Sequence, residues 1–461
     1  MTRWPVTTSP PRGDVLRLRR RLVGAALLAC VLVAPAACGG GDDAPGADAT
    51  DLPFIEVDPD STSSTDRAIA TAQDALRADP EDAKAQLDLA LAFLQKARET
   101  ADPVLYTGAD TLLALVAEVS PDDVRVLTAQ GSLALSRHEF AAALDLGERA
   151  LAAAPGNETA YGVLVDALNE LGRDDEALEA TQAMADVRPG LAALSRVSYA
   201  RELRGDLDGA IEAMTQAATA GAGTGGENLA FTQALLGNLL LTRGDLRQAE
   251  RQYDLALTTF PELPAAEAGR ARLLVAQERY DEAAAVLAGL VERQPLIEHA
   301  IAQGEALAAA GRSDEADDAF DLVEGIAALQ EANGVQVDVD LALFDAERDP
   351  GDDAVARARR GLEQRPSIVG HDALAWNLFR AGSIAAAQEE AERALATGSE
   401  DPAIRFHAAA IAHAAGDDGA ARGHMDIVLA GNPRFSAALV DDVAELASAL
   451  GLEMPPVAPA T

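Results

Sequence analysis

The sequence predicts an all-α fold, an α-solenoid of stacked helix–turn–helix units, and three observations carry that expectation. The stretch from Ala230 to Pro261 reads as two helices: Leu235, Leu236, Leu239 and Leu240 recur at helical spacing, Arg243-Gly244-Asp245 interrupts, and Ala249, Tyr253, Ala256 and Leu257 resume the pattern. Prolines then keep time along the chain. Pro121, Pro155 and Pro189 are 34 residues apart, as are Pro261 and Pro295. A glycine turn also recurs, at Gly172, Gly205, Gly311 and Gly416, each followed by acidic or small polar residues.

Residues 1–37 read as a targeting segment. Arg17, Arg19, Arg20 and Arg21 precede an apolar run from Leu22 to Ala37, too short for a comfortable membrane span. Pro35-Ala36-Ala37-Cys38-Gly39 resembles a bacterial lipoprotein signal, which implies acylation of Cys38, although Pro35 stands where leucine is commonest. Leu27-Leu28-Ala29-Cys30 is a second match with a shorter apolar region, and cleavage after Ala37 without lipidation is the alternative. Residues 38–64, rich in Gly, Asp, Ser, Thr and Pro, read as a flexible linker. Cys30 and Cys38 are the chain's two cysteines, so no structural disulfide and no thiol metal site is expected.

The repeats are expected over residues 65–452, about ten units plus a C-terminal cap helix at 436–450. Within a unit, Gly237 and Ala249 leave room at the helix crossing, Tyr253 fills it, and Pro261 stops the second helix. The turn glycines end the first helix at positive φ, and Asp or Ser is expected to cap the next. Two regions depart from the pattern. Residues 190–204 lack the large aromatic expected early in a unit, and 330–366 looks strand-like locally at Gln336-Val337-Asp338-Val339-Asp340, though the flanking spacing asks for a helix pair and one is expected there. Residues 453–461 read as a disordered tail.

This pattern resembles the tetratricopeptide repeat, a helix–turn–helix unit of 34 residues. The resemblance implies a right-handed superhelix whose first helices line a concave groove for an extended peptide or a partner helix. Matching positions place Asp166, Asn169, Asn238, Arg272 and Glu305 on that groove, then Trp376, Phe379, Phe406 and His413 near its C-terminal end. Trp376 and the two Phe residues pack between helices in the alternative reading. The subtype that grips a carboxylate with groove lysines does not fit, because Lys84 and Lys96 are the only lysines.

The formal charge is −38, and −43 without residues 1–37, which hold six Arg and one Asp. Such a surface repels nucleic acid, whose binding draws on clustered Lys and Arg. No catalytic motif stands out: there is no HExxH, no GxSxG and no phosphate-cradling Gly-Lys-Ser loop, so neither an enzyme nor a cofactor is expected. Among the six histidines, His371, His407, His413 and His424 fall in adjacent units, while His138 and His299 are isolated. The expected function is a non-catalytic scaffold or adaptor lipoprotein for protein partners, exported and anchored on the outer face of the bacterial cytoplasmic membrane. The alternative is an accessory solute- or metal-handling lipoprotein beside a transporter, for which the C-terminal histidines are the support.

Overall fold

The computed structural model describes residues 52–58, 63–222 and 226–457. The expected signal segment, Cys38 and most of the expected linker lie outside the described residues.

Twenty-two helices and no strand occupy the described residues. Helix α1 spans Ser64–Ala78. Ten consecutive pairs follow: α2 (Ala83–Thr100) with α3 (Val104–Val119), α4 (Val124–Ser136) with α5 (Phe140–Ala153), and α6 (Glu158–Glu170) with α7 (Asp174–Val187). Then come α8 (Leu191–Glu202) with α9 (Leu207–Gly221), α10 (Gly226–Thr242) with α11 (Leu246–Thr259), and α12 (Pro264–Ala276) with α13 (Tyr280–Arg293). The series ends with α14 (Ile297–Ala309) and α15 (Ser313–Ala332), α16 (Asp338–Arg348) and α17 (Asp352–Gln364), α18 (Ile368–Arg380) and α19 (Ile384–Ala394), and α20 (Pro402–Ala414) and α21 (Asp418–Ala430). Helix α22 (Val440–Ala449) closes the stack.

The local chemistry is that of the repeat. Tyr253 of α11 is fully buried between α10 and α12, and a Cβ on Gly237 would come within 2.5 Å of its ring; one on Gly269 would overlap it too. The turn glycines adopt positive φ at Gly172 (64°), Gly205 (73°), Gly244 (85°), Gly311 (77°) and Gly416 (87°). Capping is more varied than expected. Asp206 and Asp417 accept from the backbone N–H of Gly209 and Ala420. At α7 and α15, however, the cap positions are Arg173 and Arg312, which make no side-chain cap and instead pair with Glu176 and Glu315 at 2.5 Å.

Successive first helices pack on one another along most of the chain, from α2 on α4 to α18 on α20, whereas successive second helices make no comparable contact. First helices therefore form the inner layer of a curved ribbon and second helices the outer one. The curvature is tight enough that the ribbon meets its own edge. Gln294 Nε2 donates to the carbonyl of Arg98 at 2.7 Å, 196 residues away. Gln336 N donates to the carbonyl of Arg137, and His138 Nδ1 donates back to the carbonyl of Gln336 at 2.7 Å. Arg365 pairs with Glu170, and Arg434 with Glu278 at 2.7 Å.

Backbone meets backbone in the same register. A Cβ on Gly172 would overlap the carbonyl of Pro366; one on Gly205 or Gly244 would lie 2.6 Å from the carbonyl of Gly398 or Gly431. Apolar contact joins in, with Leu203 against Ile368, Ala394 and Ile404. The turn inside each of the first five pairs thus abuts the loop that follows the pair five places later. The inner layer becomes the wall of a tube.

Two expectations need correction and a third is met. Leu52–Asp58 is docked rather than free: Leu52, Ile55 and Val57 pack on the first core, and Gln73 bonds both the N–H (2.7 Å) and the carbonyl (3.1 Å) of Ile55. The helix pair expected over 330–366 is present as α16 and α17; the strand-like look of Gln336–Asp340 reflects Val335 and Val337, buried in the loop that meets Arg137 just before α16 begins at Asp338. The start of the tail is also held, because Arg434 donates to the carbonyl of Pro455 and Leu452 and Met454 pack on the last core.

Gly172 and Gly311 share the left-handed conformation, but no atom of the described residues stands within 4 Å of a Cβ at Gly311. Gly311→Ala is expected to cost only the left-handed penalty, roughly 1–2 kcal/mol. Gly172→Ala is expected to cost more and to part the two turns of the ribbon. Denaturant unfolding together with small-angle scattering checks this: equal losses and an unchanged radius of gyration would refute the contact.

Candidate partner-binding surface

The inner layer is assembled from polar side chains that bridge one first helix to the next. Asp166 of α6 takes two hydrogen bonds from the Arg196 guanidinium of α8, at 2.6 and 2.9 Å. Asn238 Oδ1 of α10 accepts from Arg272 of α12 and from Tyr253 Oη, both at 2.9 Å. Glu347 of α16 accepts from Trp376 Nε1 of α18 at 2.6 Å and lies 3.6 Å from the Arg380 guanidinium. In α18 and α20, Asp372 and His407 form a buried pair at 3.0 Å. Planar guanidinium–carboxylate pairing fixes geometry as well as charge, so these contacts hold the register of adjacent units.

Two carboxyls on this layer have no such partner among the described residues. Burial, with Glu347 nearby, pushes the Glu305 carboxyl up to about 7. Burial, with Asp401 nearby, does the same to Glu202, also to about 7. Both lose solvation without gaining a cation, which favours the protonated acid. Tyr199 of α8 is 37% exposed, and burial beside Glu170 pushes its phenol upward.

The nine residues named from sequence divide into three groups. Asp166, Asn238, Arg272 and Glu305 belong to the inner layer, Arg272 exposed and the others part-buried. Asn169, Trp376 and Phe406 are interior, with 8, 3 and 2% exposure, and Phe379, part-buried, packs against Trp376. Trp376 stacks on His407 with centroids 4.1 Å apart and on Phe379 at 5.0 Å, while Phe406 packs against Phe435. Their surfaces are spent on neighbouring units, so they cannot anchor a partner side chain. His413 sits at the end of α20 and bonds Asp418 of its own turn at 2.7 Å.

Arg196, Tyr199, Glu347 and Arg380 complete the layer and were not named from sequence. Arg196 lies 30 residues after Asp166, short of the repeat length, which hides the pairing from a strict 34-residue count. The C-terminal histidines do not converge: His371 meets Glu390 at 2.7 Å, His407 meets Asp372, His413 meets Asp418, and His424 accepts from Arg405 at 3.2 Å. Among the described residues no group of three or more His, Cys, Asp or Glu side chains is placed to hold a metal ion, and no helix is long and apolar enough to cross a membrane.

Helix pairs stacked at a near-constant period, with first helices packed on one another along most of the chain, define an α-solenoid repeat protein. Two models of the tetratricopeptide repeat match the sequence, one over residues 240–305 and the other over 62–102, 107–158, 128–192 and 373–434, together more than half of the chain. The chain belongs to the tetratricopeptide repeat family. The repeat is in general a non-catalytic fold that binds protein or peptide partners.

Solved structures of similar fold include TTC0263, a thermophilic TPR protein of Thermus thermophilus, at 22% identity over 42% of this chain and 98% of that one, with a TM-score of 0.37. The Cut9–Hcn1 hetero-tetramer of the APC/C matches at 13% identity over 83% of this chain and 60% of that one, with a TM-score of 0.41. YrrB, a TPR protein with an unusual peptide-binding site, matches at 18% identity over 42% and 95%, with a TM-score of 0.27. No curated protein matches the sequence.

An acid whose folded pKa lies above its unfolded value binds a proton that the unfolded chain has released. Glu202 and Glu305 therefore make stability fall as pH rises from 4.5 to about 7. Glu202→Gln with Glu305→Gln is expected to flatten that slope and to stabilise the chain at pH 8 by on the order of 1–3 kcal/mol per site. Thermal unfolding at pH 5 and pH 8 checks this; a parallel shift at both would reject the assignment.

Proposed function

We propose that this protein is a non-catalytic scaffold whose inner wall binds a protein or peptide partner at the bacterial cell envelope. One observation carries the reading: first helices packed on one another along most of the chain form a layer that retains part-exposed polar groups at Asp166, Asn238, Arg272 and Glu305. Amides and guanidinium groups at such positions bond the backbone of an extended peptide or the polar face of a helix. The negative charge of the chain disfavours nucleic acid as the partner.

The envelope address rests on residues 1–51 as sequence. The basic cluster, the short apolar run and Ala36-Ala37-Cys38-Gly39 support acylation of Cys38 and anchoring on the outer face of the cytoplasmic membrane. Docking of Leu52–Asp58 leaves only the stretch before it as a tether between that anchor and the solenoid.

Crosslinking in native membranes, followed by mass spectrometry, tests both halves. A recurrent partner joined to first-helix residues, with affinity reduced about tenfold by Arg272→Glu, is expected for a contact at the centre of an interface. An acylated N-terminus at Cys38, and release of the Cys38→Ser variant from membranes, is the expected result for the anchor. A partner that joins only second helices would remove the inner wall from the interface, and an unacylated protein would remove the anchor.

A further inference from the structure

Helix α1 carries the sequence of a second helix, and among the described residues no first helix lies beside it. In the repeats, residues 12, 8 and 5 places before the closing proline face the first helix of the same pair. They are Ala109, Leu113 and Val116 before Pro121, Ala249, Tyr253 and Ala256 before Pro261, and Ala421, Met425 and Val428 before Pro433, none more than 3% exposed. The matching residues before Pro80 are Ala68, Ala72 and Ala75. Ala68 is exposed and Ala75 only part-buried. A groove of about 740 Å³ runs between α1 and α2 where the absent helix would lie, floored by these alanines with Ala85 and Ala92. Leu91 stands at its inner side, 45% exposed, at the position that holds Asp166 and Arg272 in later units.

The chain does not fill this seat from its own described residues. Leu52–Asp58 binds a different face of α1, through Gln73, and places Pro53 against Gly108 of α3. Upstream, residues 38–51 read CGGGDDAPGADATD, with no bulky apolar residue from which to build a first helix. A second copy does not supply one either. Its unpaired first helix, α22, turns Val443 and Leu446 into its own core and exposes Asp441 and Glu445.

We propose that the α1–α2 groove receives an amphipathic helix of a partner protein, which completes the first unit as first helices complete the others. First helices such as α4, α12 and α20 are 13 residues long, which sets the length of the occupant. Its residues are defined by what α1 lacks. Where α11 has Tyr253 facing Gly237, α1 has Ala72, so the incoming helix carries a bulky Leu, Met or Phe at the place of that glycine. Volume is conserved across the crossing with the large side chain on the other partner. This inference rests on the scaffold reading but places the contact at the N-terminal edge rather than on the inner wall.

The probe is a fluorescein-labelled peptide of residues 226–242 carrying Gly237→Leu, titrated into the full chain and followed by anisotropy. Saturable binding in the micromolar range is expected, weakened at least about tenfold by Ala68→Arg and unchanged by Arg272→Glu. Ala68 is exposed, so circular dichroism of that variant should match the parent. With p-benzoylphenylalanine in place of Ala68, irradiation should join the chain to the peptide. No binding at about 100 µM, or binding that survives Ala68→Arg, would overturn the proposal. So would an adduct from position 68 to residues 1–51 or to a second copy, since either would show the seat filled without a partner. Loss of binding on Arg272→Glu alone would return the contact to the inner wall.

Discussion

The structure depends on a contact between backbones that only glycine allows. Where the turn at Gly172 reaches Pro366, and those at Gly205 and Gly244 reach Gly398 and Gly431, a Cβ would stand in the space of a carbonyl oxygen. Each turn already requires positive φ, so glycine serves the local turn and the distant contact at once. A solenoid is ordinarily a one-dimensional stack in which each unit feels only its neighbours. Here every early pair is tied to units five and six places later as well. Those ties are small one by one, but they lie in register, so slipping one turn of the ribbon would break all of them together.

Much of this fold was legible in the sequence because it is local. Helical periodicity, prolines 34 residues apart, the small residues around Tyr253 and the left-handed glycines each follow from a few neighbouring residues. The long-range seam was not. Gly172 and Gly311 look alike in their turns, yet one is covered by another loop and the other faces open space. Which glycine is covered depends on the summed curvature of five units, a quantity no short window contains. The alternation at Val335 and Val337 was a true signal, but of a buried extended loop against Arg137 rather than of a strand. Ile55 and Val57 gave a similar hint inside a polar stretch, and Gln73 holds that segment.

The inner layer was half legible for a related reason. Repeat position finds the residues of the first helices but not which way an aromatic ring turns, and Trp376 and Phe406 turn inward to fill the joint with the last units. Short polar groups behave more simply. Asp166 and Asn238 stay at the wall because each finds an arginine on the next first helix, Arg196 and Arg272. Glu305 and Glu202 find none, and their raised pKa values record that. A carboxylate kept at a partly dry wall without a cation costs stability, and such a cost is recovered when a ligand brings donors to it.

The two ends of the stack are not equivalent. A solenoid stays soluble when its terminal elements turn polar faces outward. The C-terminal end meets that condition: α22 presents Asp441 and Glu445, and Leu452 and Met454 fold back onto the last core. At the N-terminal end, Leu52, Ile55 and Val57 cover one side of α1 and leave the other open over Ala68 and Ala75, with Leu91 alongside. A floor of alanines is only weakly apolar per unit length, so exposing it costs far less than exposing the leucines and valines that α22 hides. The open edge can therefore persist in the free chain and still reward a helix that brings its own large side chains. What distinguishes the two ends is not how much apolar surface the fold left over but which partner in each crossing carries the bulk.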